Sequence, residues 1–162
     1  MSHRYLIGLG SNIPHPAYGT PAQVLRAAFG ELDKLGDLGA LSPIIASDPL
    51  GPSRRRYANA AAMIESSETP PLLLLQLKKI ERAFGVRRGG RWQARVLDLD
   101  IILWSGGIWA SSTLSIPHPQ FRQRAFVLGP ASAIAPLWRD PISSLSLRQL
   151  NARLTKPRPT TR

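Results

Sequence analysis

The sequence contains no cysteine, which excludes disulfide bonds and thiolate metal sites. It also lacks a long apolar run: no stretch is long enough to cross a bilayer, and the amino-terminal residues lack the apolar segment of a secretory signal. Acidic residues are scarce, with 10 Asp and Glu against 21 Lys and Arg, which gives a formal net charge of +11. We therefore expect a cytoplasmic protein that inserts no segment into a membrane and binds an anionic partner.

The size and composition are those of one globular domain. The chain has 162 residues, of which 43% are hydrophobic, so it can bury a substantial core. There is no internal repeat and no linker-like stretch. We expect a single domain over residues 1–155 and a basic, disordered tail over residues 156–162.

Strand and helix signals alternate irregularly along the chain. Two helices are predicted, one capped by Thr20 and ended by Gly36, the other capped by Thr69 and ended by Gly85, because apolar residues recur at helical spacing between these limits. Strands are predicted at residues 5–10, 38–47, 57–65 and 96–104, a hairpin turn at Gly106–Gly107, and helical pieces at residues 120–128 and 145–154. This pattern indicates an α+β fold.

Two aspartates two residues apart lie in the strongest strand signal. Side chains at alternate strand positions share a face, so Asp98 and Asp100 project together while Leu97, Leu99 and Ile101 point into the core. Two neighbouring carboxylates on a rigid apolar strand favour a cation between them, and Mg²⁺ prefers such oxygen ligands. The alternative is a solvent-facing strand edge with two ordinary acids.

Arginines cluster on both sides of this acidic pair in the sequence. Arg87, Arg88, Arg91 and Arg95 precede it, and Arg122 and Arg124 follow it. Basic groups around paired carboxylates fit a metal-bridged nucleotide better than a nucleic-acid groove, although a solvated basic surface is the simpler alternative. Neither a phosphate-binding loop with lysine nor a complete dinucleotide-binding glycine motif is present.

Eight short motifs together carry a family resemblance. They are Gly8-Leu9-Gly10-Ser11-Asn12, Pro49-Leu50-Gly51-Pro52, Tyr57-x-Asn59-Ala60-Ala61, Ile80-Glu81, Arg91-Trp92, Leu97-Asp98-Leu99-Asp100, Pro117-His118 and Arg124-x-Phe126. In this order and at this spacing, they resemble the 6-hydroxymethyl-7,8-dihydropterin pyrophosphokinases over about residues 5–141. Each motif alone is weak, and the ordered set carries the resemblance.

The resemblance implies a fold and a reaction. The fold would be a ferredoxin-like α+β sandwich with a mostly antiparallel central sheet flanked by helices. The reaction would move the pyrophosphoryl group of ATP to the hydroxyl of 6-hydroxymethyl-7,8-dihydropterin, giving the pterin diphosphate and AMP in folate biosynthesis. Two Mg²⁺ ions would bridge the ATP phosphates. The resemblance gives no role to nucleic acid, and we expect a monomer.

The resemblance also assigns roles to individual residues. Asp98 and Asp100 would hold the metal ions. Tyr57 and Phe126 would cover the two faces of the pterin ring and Asn59 would bind its edge, together with backbone groups of Ser47 and Leu50. The nucleotide would contact Glu81, Arg95, Ile101, His118, Arg122 and Arg124. The catalytic residues would be Arg87, Trp92, Arg95 and Arg124.

The arginine loop departs from the family pattern. Arg91-Trp92-Gln93-Ala94-Arg95 replaces the common Arg-Trp-Gly-Pro-Arg, and the loop is one residue shorter, so that Val86 falls near a family arginine position. Two alternatives to the transferase therefore stay open. One is a diverged relative that binds pterin or nucleotide without efficient turnover, and the other is a basic nucleic-acid-binding module.

Overall fold

The computed structural model of this protein describes residues 1–47, 57–85, 96–157 and 159–160. In chain order, the elements are β1 (His3–Ser11), α1 (Pro21–Asp33), β2 (Asp37–Leu41), β3 (Ile45–Ser47), β4 (Tyr57–Ser66), α2 (Pro70–Phe84), β5 (Asp98–Trp104), β6 (Trp109–Ala110), β7 (Ser115–Ile116), a 3₁₀ turn (Phe121–Gln123), α3 (Ala125–Ile134) and α4 (Leu147–Thr155). None of the helices in these ranges has the length and apolar composition that a membrane span needs.

The main sheet has five strands, in the order β2-β4-β1-β5, with β3 also pairing with β4. All pairings between these strands are antiparallel. The α+β class with a mostly antiparallel sheet is therefore confirmed. Strand β1 lies in the middle of the sheet and places residues from β4 and β5 on either side of it.

Helices cover both faces of the sheet, and alternate residues of β1 supply the two cores. Tyr5, Ile7 and Leu9 pack with apolar residues of α1 and α2 on one face. Leu6 packs with residues of α3 and α4 on the other face. Each large side chain that is fully buried in this way contributes about 1.5–3 kcal/mol to the free energy of unfolding.

The helix starts follow the sequence signals, with one difference. Thr20 caps α1 by accepting a hydrogen bond from the backbone N–H of Gln23 at 3.3 Å, and the Gln23 side chain accepts from the Thr20 backbone N–H at 2.9 Å. Helix α2 begins after Thr69 as predicted, but the Thr69 side chain makes no capping hydrogen bond. The two prolines in its first turn, Pro70 and Pro71, are compatible with a helix start because each lacks a backbone donor that would have no partner within the helix.

The strand predicted at residues 38–47 is two strands, β2 and β3. Between them, the Ser42 hydroxyl oxygen accepts the Ala61 backbone N–H at 2.8 Å, in the place of a strand carbonyl. Pro43 follows and has no N–H to donate to the sheet. A side-chain bond and a proline thus interrupt the backbone ladder.

The hairpin predicted across Gly106–Gly107 is wrong. A turn forms there, with the Gly107 N–H donating to the Trp104 carbonyl at 3.0 Å, but β6 then pairs with β7 and not with β5. The outer edge of β5 already has other partners: the Leu99 N–H donates to the Glu81 carboxylate at 2.8 Å, and the Ile102 carbonyl accepts from the His118 N–H at 3.0 Å. These bonds occupy a donor and an acceptor that a strand paired with this edge would need.

Candidate active site

Strand β1 aligns the predicted pterin-binding amide with the predicted metal-binding carboxylates. Gly10 pairs with Asn59 of β4 on one side and with Asp98 of β5 on the other. Residues in register on neighbouring strands project from the same face, and strands are about 4.8 Å apart, so the Cα atoms of Asn59 and Asp98 are separated by about 10 Å. Asp100 lies two residue pairs further along the same strand, opposite Gly8, and therefore projects from the same face.

Because Gly10 has no side chain, the neighbouring side chains of Asn59 and Tyr57 occupy the space above it. A Cβ atom at this position would lie 3.3 Å from the Asn59 amide oxygen and 3.8 Å from Cδ1 of Tyr57. Asn59 is 5% exposed, so its amide has little room to move. The absence of a side chain at Gly10 therefore lets the Asn59 amide and the Tyr57 ring lie over β1 at this end of the sheet.

The two aspartates have the alternation that the sequence predicts. Asp98 and Asp100 are half-buried, while Leu99 and Ile101 are buried in the core on the α1 and α2 side. In the ranges that the structure covers, no three His, Cys, Asp or Glu side chains are grouped to hold a metal ion by themselves. Two carboxylates on one face of a strand fit Mg²⁺, which takes its remaining ligands from substrate phosphates and water.

Glu81 of α2 supports the strand that carries these aspartates. Its carboxylate accepts the backbone N–H of Leu99, the residue between them, at 2.8 Å, and forms an ion pair of 3.1 Å with Lys78. Leu99 is fully buried, so without Glu81 its N–H would lack a partner. The structure thus gives Glu81 a role in holding β5, and its predicted nucleotide contact stays a prediction.

Replacing Glu81 by alanine is expected to lower the free energy of unfolding by about 1–3 kcal/mol, because a buried N–H loses its acceptor. Glu81→Gln keeps an oxygen that can accept the Leu99 N–H, so its free energy of unfolding should fall less. Lys78→Ala removes only an exposed ion pair, of about 0–1 kcal/mol, and serves as the control. Urea unfolding measures the free energy of unfolding of all three variants. Equal losses for Glu81→Ala and Lys78→Ala would contradict the role of the Leu99 bond.

His118 lies near Asp100 and Arg124. The His118 backbone is bonded to β5 through Ile102, and its Nδ1 accepts the Gln120 N–H at 3.2 Å. Burial lowers the pKa of His118, Asp100 acts in the opposite direction, and Arg124 lowers it further. A neutral imidazole, an arginine and a carboxylate are therefore grouped at this edge of β5.

The guanidinium of Arg122 is bonded to Asp140. Its Nε and Nη2 atoms donate to the two carboxylate oxygens of Asp140 at 2.6 and 2.7 Å. Burial alone would raise the pKa of Asp140, but hydrogen bonds from Arg122, Ser143 and Ile142 lower it to about 2. The stabilisation from this pair is present above the ordinary carboxyl pKa near 4 and is lost as the pH falls toward 2. Sequence analysis missed Asp140, since no motif or spacing marks it.

The predicted pterin-binding side chains come from β4 and α3. Tyr57 and Asn59 lie at alternate positions of β4, and the backbone of Ser47 pairs with that of Tyr57. Phe126 is half-buried in the first turn of α3, a helix that packs on β4 and also contacts β3. The guanidinium carbon of Arg124 lies 5.8 Å from the centre of the Phe126 ring.

The structure does not bring the side chain of Ile101 into the site, and it leaves four other predicted residues untested. Ile101 is 3% exposed in the core, so a nucleotide contact from it would have to use its backbone. Leu50, Arg87, Trp92 and Arg95 lie outside the described residues.

Comparisons with known proteins agree on one family. A sequence model of the 7,8-dihydro-6-hydroxymethylpterin-pyrophosphokinase (HPPK) family matches residues 6–136. The Synechocystis enzyme named 2-amino-4-hydroxy-6-hydroxymethyldihydropteridine pyrophosphokinase is similar to this chain. It is 37% identical over 91% of this chain and 74% of its own length. The Pseudomonas aeruginosa enzyme of that name is 37% identical over 87% of this chain and 86% of its own.

Solved structures show the same fold. A crystal structure of wild-type Plasmodium falciparum HPPK-DHPS superimposes with a TM-score of 0.74 over 94% of this chain, at 12% identity. This chain spans 45% of the Plasmodium chain. Because the family model and the similar enzymes both cover most of the sequence, the chain belongs to the 7,8-dihydro-6-hydroxymethylpterin-pyrophosphokinase family.

Proposed function

We propose that this protein transfers the pyrophosphoryl group of ATP to the hydroxymethyl group of 6-hydroxymethyl-7,8-dihydropterin, a step of folate biosynthesis. The observation that carries this proposal is the register across β1. It sets Asn59 and Asp98 on either side of Gly10, with about 10 Å between their Cα atoms, so a residue that suits a heterocycle and one that suits a metal-bound phosphate share one face of the sheet. Family membership supplies the reaction, and this geometry supports it.

The pterin would lie against the end of β4. Tyr57 and Phe126 offer an aromatic face for each side of the flat ring, and the Asn59 amide both donates and accepts along its edge. Backbone groups of Ser47 and Leu50 would complete that edge. The hydroxymethyl group would then point along the sheet toward β5.

The nucleotide would lie over β5 and the segment after β7. Asp98 and Asp100 would hold two Mg²⁺ ions, which neutralise the charge of the phosphates and fix their positions when bound. His118 lies near Asp100 and Arg124, and a positive charge and a neutral donor there would suit phosphate oxygens. The proposed nucleotide contacts of Glu81, Ile101 and Arg122, and the roles of Arg87, Trp92 and Arg95, stay proposals.

Alignment and charge neutralisation would carry the reaction. The hydroxyl oxygen of the pterin attacks the β-phosphorus of ATP in line and forms a new P–O bond. The bond from that phosphorus to the oxygen bridging the α- and β-phosphates breaks, AMP leaves, and the hydroxyl proton is released to water. Arg124 would stabilise the negative charge that develops on the phosphoryl oxygens.

Incubation of the chain with ATP, Mg²⁺ and the pterin alcohol tests this proposal. AMP and pterin diphosphate are expected to form in equal amounts, and chromatography with ³¹P NMR measures both. Tight binding of pterin and ATP without AMP would favour the diverged binder. ADP in place of AMP would contradict attack at the β-phosphorus.

The high net charge keeps a nucleic-acid module as the competing function. That function predicts oligonucleotide binding that weakens steeply with salt and is unchanged when Asp98 or Asn59 is replaced. The cytoplasmic location and the monomeric state remain predictions from the sequence.

A further inference from the structure

Arg122 and Asp140 join two distant segments by a two-pronged ion pair. The guanidinium donates from Nε at 2.6 Å and from Nη2 at 2.7 Å, one bond to each carboxylate oxygen. The Asp140 side chain is fully buried, whereas the Arg122 side chain is 27% exposed. Such a planar fork fixes both the distance and the orientation of its partner.

The Asp140 end of this bridge is held rigidly in the loop between α3 and α4. The same carboxylate accepts the Ile142 N–H at 3.1 Å and the Ser143 hydroxyl at 2.6 Å. The Asp140 N–H donates to the Leu145 carbonyl at 2.9 Å. A buried charge with this many partners is a fixed point for the chain that contacts it.

The Arg122 end lies in the segment between two residues of the candidate site, His118 and Arg124. His118 is tied to β5 by the bond from its N–H to the Ile102 carbonyl, at 3.0 Å. Toward the other end, the Arg124 N–H donates to the Phe121 carbonyl at 3.3 Å, and the Arg122 guanidinium stacks 4.6 Å from the centre of the buried Phe121 ring. The segment from His118 to Arg124 is therefore anchored at β5 and at Asp140.

We propose that Asp140 is a positioning residue: through Arg122 it anchors residues 118–124 and so keeps His118 and Arg124 in place at the candidate site. This inference rests on the proposed function, because the ligand that these side chains would share is a metal-bound nucleotide. It also changes the role expected for Arg122. With two of its nitrogens bonded to Asp140, Arg122 acts on the nucleotide through the segment that it anchors.

Nucleotide affinity in matched variants tests this role. The dissociation constant of the non-reactive analogue α,β-methylene-ATP is measured with Mg²⁺ for the full chain, alongside the KM for ATP. Asp140→Asn and Arg122→Gln are each expected to raise both constants about tenfold, because misplaced binding groups lose favourable contacts. Arg122→Lys keeps a positive charge beside Asp140 but loses the two-pronged geometry of the guanidinium. It should therefore raise both constants less than Arg122→Gln does. Arg139→Gln, which removes an exposed arginine of the same loop, should leave both constants unchanged.

Three outcomes separate the possibilities, at temperatures where circular dichroism shows each variant to be folded. Equal loss of affinity in Asp140→Asn and Arg122→Gln supports the positioning role. Tighter binding in Asp140→Asn would overturn it, because an Arg122 released from Asp140 would then act on the nucleotide directly. A lower melting temperature with unchanged constants would also overturn it, since the bridge would only stabilise the fold. If the wild-type chain binds the analogue but forms no AMP, the proposed reaction fails, and the affinity comparison still decides the role of Asp140.

Discussion

Replacing both Asp98 and Asp100 by asparagine should reduce AMP formation about a thousandfold, the scale expected when a major source of charge stabilisation is removed from a phosphoryl-transfer site. Asparagine keeps the size of the side chain but lacks the negative charge that Mg²⁺ requires. The fold should persist, because removing two neighbouring like charges relieves repulsion on the half-buried face of β5. The rate of AMP release at saturating ATP and pterin measures the effect.

The control for this double variant removes two aspartate charges outside the candidate site. Asp33 and Asp37 are exposed, at the end of α1 and the start of β2, and replacing both by asparagine should leave turnover within about twofold. Equal activity in the two double variants would show that the carboxylates of β5 take no part in the reaction. Higher Mg²⁺ should restore little of the lost activity, since the missing groups are the ligands themselves.

Replacing Arg124 by glutamine should lower kcat about a hundredfold. Arg124 lies with Asp100 beside His118, and its positive charge contributes to the lowered pKa of that histidine. In the proposed reaction, this charge would stabilise the phosphoryl oxygens most strongly in the transition state, so kcat should fall more than the KM for ATP rises. Arg124→Lys should retain part of the rate, because a point charge replaces the planar fork.

Arg148 supplies the matched control for Arg124. It is exposed on α4, and Arg148→Gln makes the same chemical change with an expected effect of less than twofold. Steady-state kinetics on purified, folded variants provides the comparison. Equal rates for wild type and Arg124→Gln would remove Arg124 from the catalytic machinery.

The parts of this site that could be predicted from sequence are the local ones. The strand period of two residues places Asp98 and Asp100 on one face, and the burial of Leu99 and Ile101 confirms that pattern. The start of α1 after Thr20 was also predictable, because the capping box that marks it lies within four residues of sequence, from Thr20 to Gln23.

The contacts that align the site were not predictable from local patterns. The register that brings Gly10 between Asn59 and Asp98 depends on the pairing of three strands that are distant in sequence. The Arg122–Asp140 bridge joins residues 18 apart through a turn and a helix, and no spacing rule indicates it. Glu81 was expected near the nucleotide, whereas its observed bond to the Leu99 N–H could be found only once α2 was packed beside β5.

The most direct test of the metal-binding claim counts Mg²⁺ ions bound to the chain when it is saturated with α,β-methylene-ATP. Equilibrium dialysis with atomic absorption gives the number of ions per chain, and the bound nucleotide is measured in the same sample. We predict two Mg²⁺ per wild-type chain with nucleotide, and at least one fewer when Asp98 and Asp100 are both asparagine. A nucleotide-saturated variant that holds as many ions as wild type would contradict a metal site on β5.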